Sequence, residues 1–118
     1  MRLLCLAVLG IASLARAQEA PTHFLVEYEL APGVDITHLS QPQMALVQQH
    51  GAHLKKLRDD GVVILGGHTA NLQHLRGLAI LAAKDVESAR TVADEDPAVK
   101  AGMMKTSVEA FTLAIPPK

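Results

Sequence analysis

Residues 40–67 read SQPQMALVQQHGAHLKKLRDDGVVILGG, and they contain a helix, a turn and the start of a strand. Ser40 precedes Gln41-Pro42, so its hydroxyl can cap a helix whose first turn tolerates proline. Val47, His50, Leu54 and Leu57 then recur at spacings of three, four and three, the inward stripe of an amphipathic helix. Asp59-Asp60-Gly61 closes it, because Gly61 can adopt the left-handed conformation that ends a helix. Val62 to Leu65 follows as a short apolar strand running into Gly66-Gly67.

Upstream, His23 to Leu30 alternates Phe24, Val26, Tyr28 and Leu30 with His23, Leu25, Glu27 and Glu29. That period of two marks a half-buried strand, broken by Ala31-Pro32-Gly33. Downstream come a polar loop from His68 to Arg76, a strand from Gly77 to Ala83, and a helix from Val86 to Ala93 capped by Asp85. Asp96-Pro97 interrupts that helix, one more turn is expected over Ala98 to Met103, and Thr106 to Ile115 is the last expected strand. The order β-α-β-β-α-β predicts an α+β, ferredoxin-like domain with both helices on one face of the sheet. The last strand carries apolar side chains on both faces, Phe111 and Leu113 against Val108 and Ala110. A homodimer packed sheet against sheet is therefore expected.

The chain has 118 residues, room for one domain. Apolar residues are 49% and charged residues 19%, the balance of a folded globular chain. A net charge of −1 gives no electrostatic footprint for nucleic acid, and 3% aromatics give no base-stacking platform. Residues 1–17, MRLLCLAVLGIASLARA, combine a basic start at Arg2, an apolar stretch from Leu3 to Leu14 and Ala15-Arg16-Ala17 as a cleavage site. The apolar stretch is shorter than the roughly 20 residues that span a bilayer. The expectation is a signal peptide over 1–17 and one domain over 18–118, its core about 23–115. The product would be exported, periplasmic or secreted, and not membrane-bound after cleavage. Cys5, the single cysteine, would leave with the signal, so the mature domain carries no thiol.

No glycine-rich phosphate loop, nucleophile elbow or thiol nucleophile is present, which leaves histidine and carboxylate to carry any chemistry. His50 is the informative histidine because it shares a stripe with Val47, Leu54 and Leu57. A partly enclosed imidazole needs a partner for each nitrogen, and a backbone carbonyl serves a core histidine as well as a carboxylate serves a catalytic one. His53 lies one turn on, where an exposed, solvated side chain is the ordinary outcome, and His68 stands at the end of the following strand. His50 and His53 could present two nitrogens to a metal and His68 a third, but no carboxylate is placed to complete a site, so no metal is expected. Asp94-Glu95-Asp96-Pro97 is a dense acidic cluster in which Pro97 limits where the Asp96 carboxylate can point.

The block from His50 to Gly67, the block VESARTVADEDPAVKAGM with Asp96-Pro97 and Ala101-Gly102, and the closing SVEAF ending at Phe111 together resemble the YCII (YciI-like) family. These blocks cover roughly residues 23–115. The resemblance implies a dimeric α+β barrel with a histidine–aspartate pair in a cleft, carried here by His50 and Asp96. It also implies chemistry on small cyclic or aromatic molecules; one family member eliminates halide from a chlorinated hydroxyquinol. His68 stands where the family pattern has proline after Gly67. The resulting expectation is a cofactor-free lyase or isomerase, with His50 and Asp96 catalytic and His68 and His53 substrate-binding. The alternative is a non-catalytic dimer that binds a small ligand or a protein.

Overall fold

The structure, a computed structural model, describes residues 22–118; the signal segment expected over 1–17 lies outside the described residues. Strand β1 (His23–Leu30) leads through a loop to helix α1 (Gln41–Asp59), followed by β2 (Val63–His68) and β3 (Arg76–Ala82). Helix α2 (Val86–Asp94), the short α3 (Pro97–Lys100) and β4 (Met104–Ala110) complete the domain. The strands form one antiparallel sheet in the order β2-β3-β1-β4. This is the α+β, ferredoxin-like arrangement that the pattern of elements predicts.

Phe24, Val26 and Tyr28 of β1 point to the helices and pack with Val63, Ala79, Leu81, Ala89 and Ala93 in the core. Helix α2 lies close to the sheet because its two buried residues, Ala89 and Ala93, have almost no side chain to hold it away. Helix α1 sits differently. None of its residues is fully buried, and only Leu54 and Leu57 reach the core, each in part. Space is therefore left between its middle and the sheet.

The ends of α1 are set by local chemistry. Ser40 and Gln43 form a reciprocal capping box, with the Gln43 amide donating to the Ser40 hydroxyl at 3.2 Å and the Ser40 amide donating to Gln43 at 3.0 Å. At the other end Gly61 has φ of 80°, and the Gly61 and Val62 amides donate to the Arg58 and Leu57 carbonyls. That pair of bonds is a Schellman closure, which only a residue at ease with positive φ completes without strain.

The turn expected over Ala98 to Met103 is the shorter α3, Pro97–Lys100, and two strands differ more from the sequence expectation. Strand β4 covers Met104–Ala110 rather than 106–115. Phe24 pairs with Ala110 and the Phe111 amide reaches His23, after which β1 offers no further backbone. Strand β2 shifts register between Val63 and Leu65 and then continues through Gly66 and Gly67 to His68, because β3 supplies Ala79, Leu78 and Gly77 as their partners. The loop to β3 holds a single 3-10 turn over Leu72–His74.

Candidate active site

Asp96 is placed by the proline after it. The residue before a proline is disfavoured in the helical region, and Asp96 adopts φ −59°, ψ 130°, which separates α2 from α3. Its carboxylate turns inward. One oxygen, Oδ1, accepts the Ala98 amide at 2.9 Å and caps α3, while Oδ2 faces His50 Nδ1 at 2.6 Å. Asp96 has no solvent exposure, the only described polar residue so deeply buried, whereas its neighbours Asp94 and Glu95 are exposed.

His50 comes from the middle of α1, where the helix passes α3, and its side chain keeps 16% exposure. The Tyr28 ring meets the imidazole edge to face, centroids 5.0 Å apart and planes at 70°. Tyr28, His50 and Asp96 thus form a stack from the sheet through α1 to the α2–α3 junction.

The electrostatics fix the tautomer. Burial alone would raise the Asp96 pKa, but the His50 hydrogen bond and charge, the Ala98 amide and the His53 charge outweigh it and hold the carboxyl below its ordinary value. Asp96 is therefore an anion that only accepts, so the Nδ1 proton belongs to His50. In the neutral imidazole the lone pair then sits on Nε2, which makes no hydrogen bond among the described residues. Burial, followed by the charges of Asp96 and Asp94, pushes the Tyr28 phenol well above its usual range, so it stays protonated.

Two depressions flank His50. One, of about 400 Å³, is lined by Leu54, Lys55, Arg58, Leu65 and the β2 glycines Gly66 and Gly67. The other, of about 240 Å³, is lined by Val47, Ile36, Leu72, Leu75 and Met104. Tyr28, His50, His68 and Gly77 border both. A larger hollow of about 650 Å³ lies over the β1–α1 loop and does not reach His50.

The structure therefore brings His50, Asp96 and His68 into one region. His68 is exposed, and its Nδ1 lies 3.0 Å from the Thr69 carbonyl. His53 lines neither depression. Its Nε2 is enclosed without a hydrogen bond, and its charge is felt at Asp96, so it flanks the carboxylate rather than the open space. Among the described residues no group of three His, Cys, Asp or Glu side chains could hold a metal ion.

Sequence reasoning missed Tyr28 and Gly77 as parts of this site. The signal for Tyr28 was present: it is the one polar-tipped side chain on the inward face of β1.

The YCII-related domain model matches residues 22–112. The chain belongs to the YCII family. Among solved structures, this YCII domain is similar to 5-chloro-2-hydroxyhydroquinone dehydrochlorinase from Burkholderia phenoliruptrix, determined in complex with 2,5-dihydroxybenzoquinone. The TM-score is 0.59 at 22% identity, covering 76% of this chain and 93% of that one. At that identity the likeness establishes the fold. No curated protein matches the sequence.

Proposed function

We propose that this YCII domain is an exported, cofactor-free enzyme that moves a proton on a small cyclic or aromatic molecule, as an isomerase or a lyase. The observation that carries the reading is the oriented pair: a buried Asp96 anion 2.6 Å from the Nδ1 of His50, a residue that borders both depressions. Nε2 accepts a proton from a C–H or O–H of the substrate, and Asp96 stabilises the imidazolium that results. The electron pair left on the substrate either relocates and is reprotonated elsewhere by His50, or expels a leaving anion. His68, on the opposite wall, is the substrate contact; His53 acts on Asp96 from behind. A small-molecule ligand in the related dehydrochlorinase supports this substrate class. We further propose a homodimer, formed through the sheet face that no helix covers.

General acid–base catalysis contributes roughly 10²–10⁴-fold, so the substrate should already be activated, as enols, lactones and halogenated hydroquinones are. Turnover of such compounds by wild type and His50→Ala is the test. His50→Ala should lose activity by about 10²-fold or more while remaining folded. A folded variant with undiminished turnover would remove His50 from the mechanism.

A further inference from the structure

Strand register places His68 opposite Gly77, and Gly77 opposite Tyr28, in one row across β2, β3 and β1. Two of the three carry large rings; the middle one carries nothing. A Cβ built at Gly77 would stand 3.5 Å from Tyr28 Cβ and 3.8 Å from Cδ2, an ordinary contact. Glycine is therefore not required there by crowding against the sheet. Its effect is to keep open the ground between Tyr28, His50 and His68, where the two depressions meet.

The two ends differ in charge. At the larger end Lys55 and Arg58 lie one turn apart on the same side of α1, and among the described residues no acidic side chain lines that end. Lys55 makes no ion pair among the described residues, and Arg58 shares its charge with an exposed Asp59 at 3.1 Å. The smaller end is walled by Ile36, Val47, Leu72 and Met104, with Glu29 its one acid. Such a groove favours an amphipathic occupant of fixed polarity.

We infer that the two depressions are one groove, bridged over Gly77, that takes a flat aromatic or alicyclic carboxylate with its anion at Lys55 and Arg58. The ring then lies over Gly77, between His50 and His68, and its apolar edge enters the Val47–Leu72 end. This names the substrate class for the proton transfer proposed above and rests on that reading for its catalytic meaning. Gly77 sets the specificity, because a side chain there narrows the groove and one larger than a methyl divides it.

The test uses two unreactive probes of matched shape, 2-naphthoate and neutral 2-naphthamide, titrated into the full chain at low salt. Naphthoate should bind about five- to tenfold more tightly, the scale of two partly solvated charge contacts. Lys55→Gln with Arg58→Gln should bring the two affinities to within about twofold of each other and leave naphthamide unchanged. Gly77→Val should weaken both probes by about tenfold, and Gly77→Ala, whose Cβ has room, should weaken both to a smaller degree. Equal affinities in the wild type, no saturable binding of either probe, or full binding by folded Gly77 variants would each overturn the inference. Neither probe undergoes proton transfer. Normal turnover by His50→Ala would thus defeat the catalytic reading alone, and equal probe affinities the groove alone.

Discussion

His50 Nδ1 and Asp96 Oδ2 stand 2.6 Å apart across 46 positions of sequence, and theirs is the one tie between α1 and the α2–α3 junction that involves a fully buried charge. Asp96 is satisfied on both oxygens, by an imidazole on one and a backbone amide on the other. A buried charge is tolerable only in that state, so removal of either partner has consequences for folding as well as for chemistry.

Truncation of the pair is the first expectation. His50→Ala leaves a buried carboxylate with one hydrogen bond and should destabilise the domain by about 3–5 kcal/mol. The double variant His50→Ala/Asp96→Ala should cost less than the two single changes added together, by at least about 1 kcal/mol, since the second change removes the stranded charge. Urea unfolding of the four proteins measures this coupling. Additive costs would mean that the pair is not an energetic unit.

Acid sensitivity is the second. The folded Asp96 pKa lies below the ordinary value, so between the two values the unfolded chain binds the proton more readily than the native one. The stabilisation is fully present above the unfolded value of about 3.9 and is lost as pH falls through the folded value. Asp96→Asn cannot titrate and should show a shallower loss of stability below about pH 4. Denaturant midpoints at a series of pH values would reveal it, and superimposable acid limbs would contradict it.

A third concerns how the helix that carries His50 begins. Ser40→Ala deletes the hydroxyl that accepts the Gln43 amide and should cost about 1 kcal/mol. The thermal midpoint should drop by several degrees, with the far-ultraviolet dichroism unchanged below the transition. An unaltered midpoint would show that α1 does not depend on its cap.

The fourth tests the close approach of α2. Ala89 is fully buried between helix and sheet, so Ala89→Leu inserts carbons where there is no room and should cost about 1–3 kcal/mol or more. Leucine at Val47, on the wall of a depression, should be accepted with a smaller loss. Equal stability of the two variants would mean that α2 can shift as freely as α1.

The alternation in β1 and the stripe in α1 were readable because side-chain period maps directly onto one face of a strand or helix. Ser40, Gly61 and Asp85 marked element ends because capping is local chemistry. Residues 106–115 read as one strand, yet β4 stops at Ala110, because its end depends on where β1 stops, information that those residues do not contain. The extension of β2 through two glycines was hidden for a similar reason: glycine has low strand propensity, and only the β3 partner overrides it. Asp96 could be singled out through Pro97, and His50 through its stripe. Gly77 could not, because its importance arises from lying between Tyr28 and His68 in a register that forms only in the folded sheet.

Helix α1 contributes no fully buried side chain, whereas β1 and α2 hold most of the core. Cooperative units that bury little apolar surface open at lower free energy than the whole molecule. Backbone amides in the middle of α1 should consequently exchange with solvent sooner than those of β1, through a detachment that leaves the four-stranded sheet intact. The bond that orients the imidazole also ties the middle of this helix to the α2–α3 junction, so the same protection test on Asp96→Asn should show the exchange of α1 accelerated.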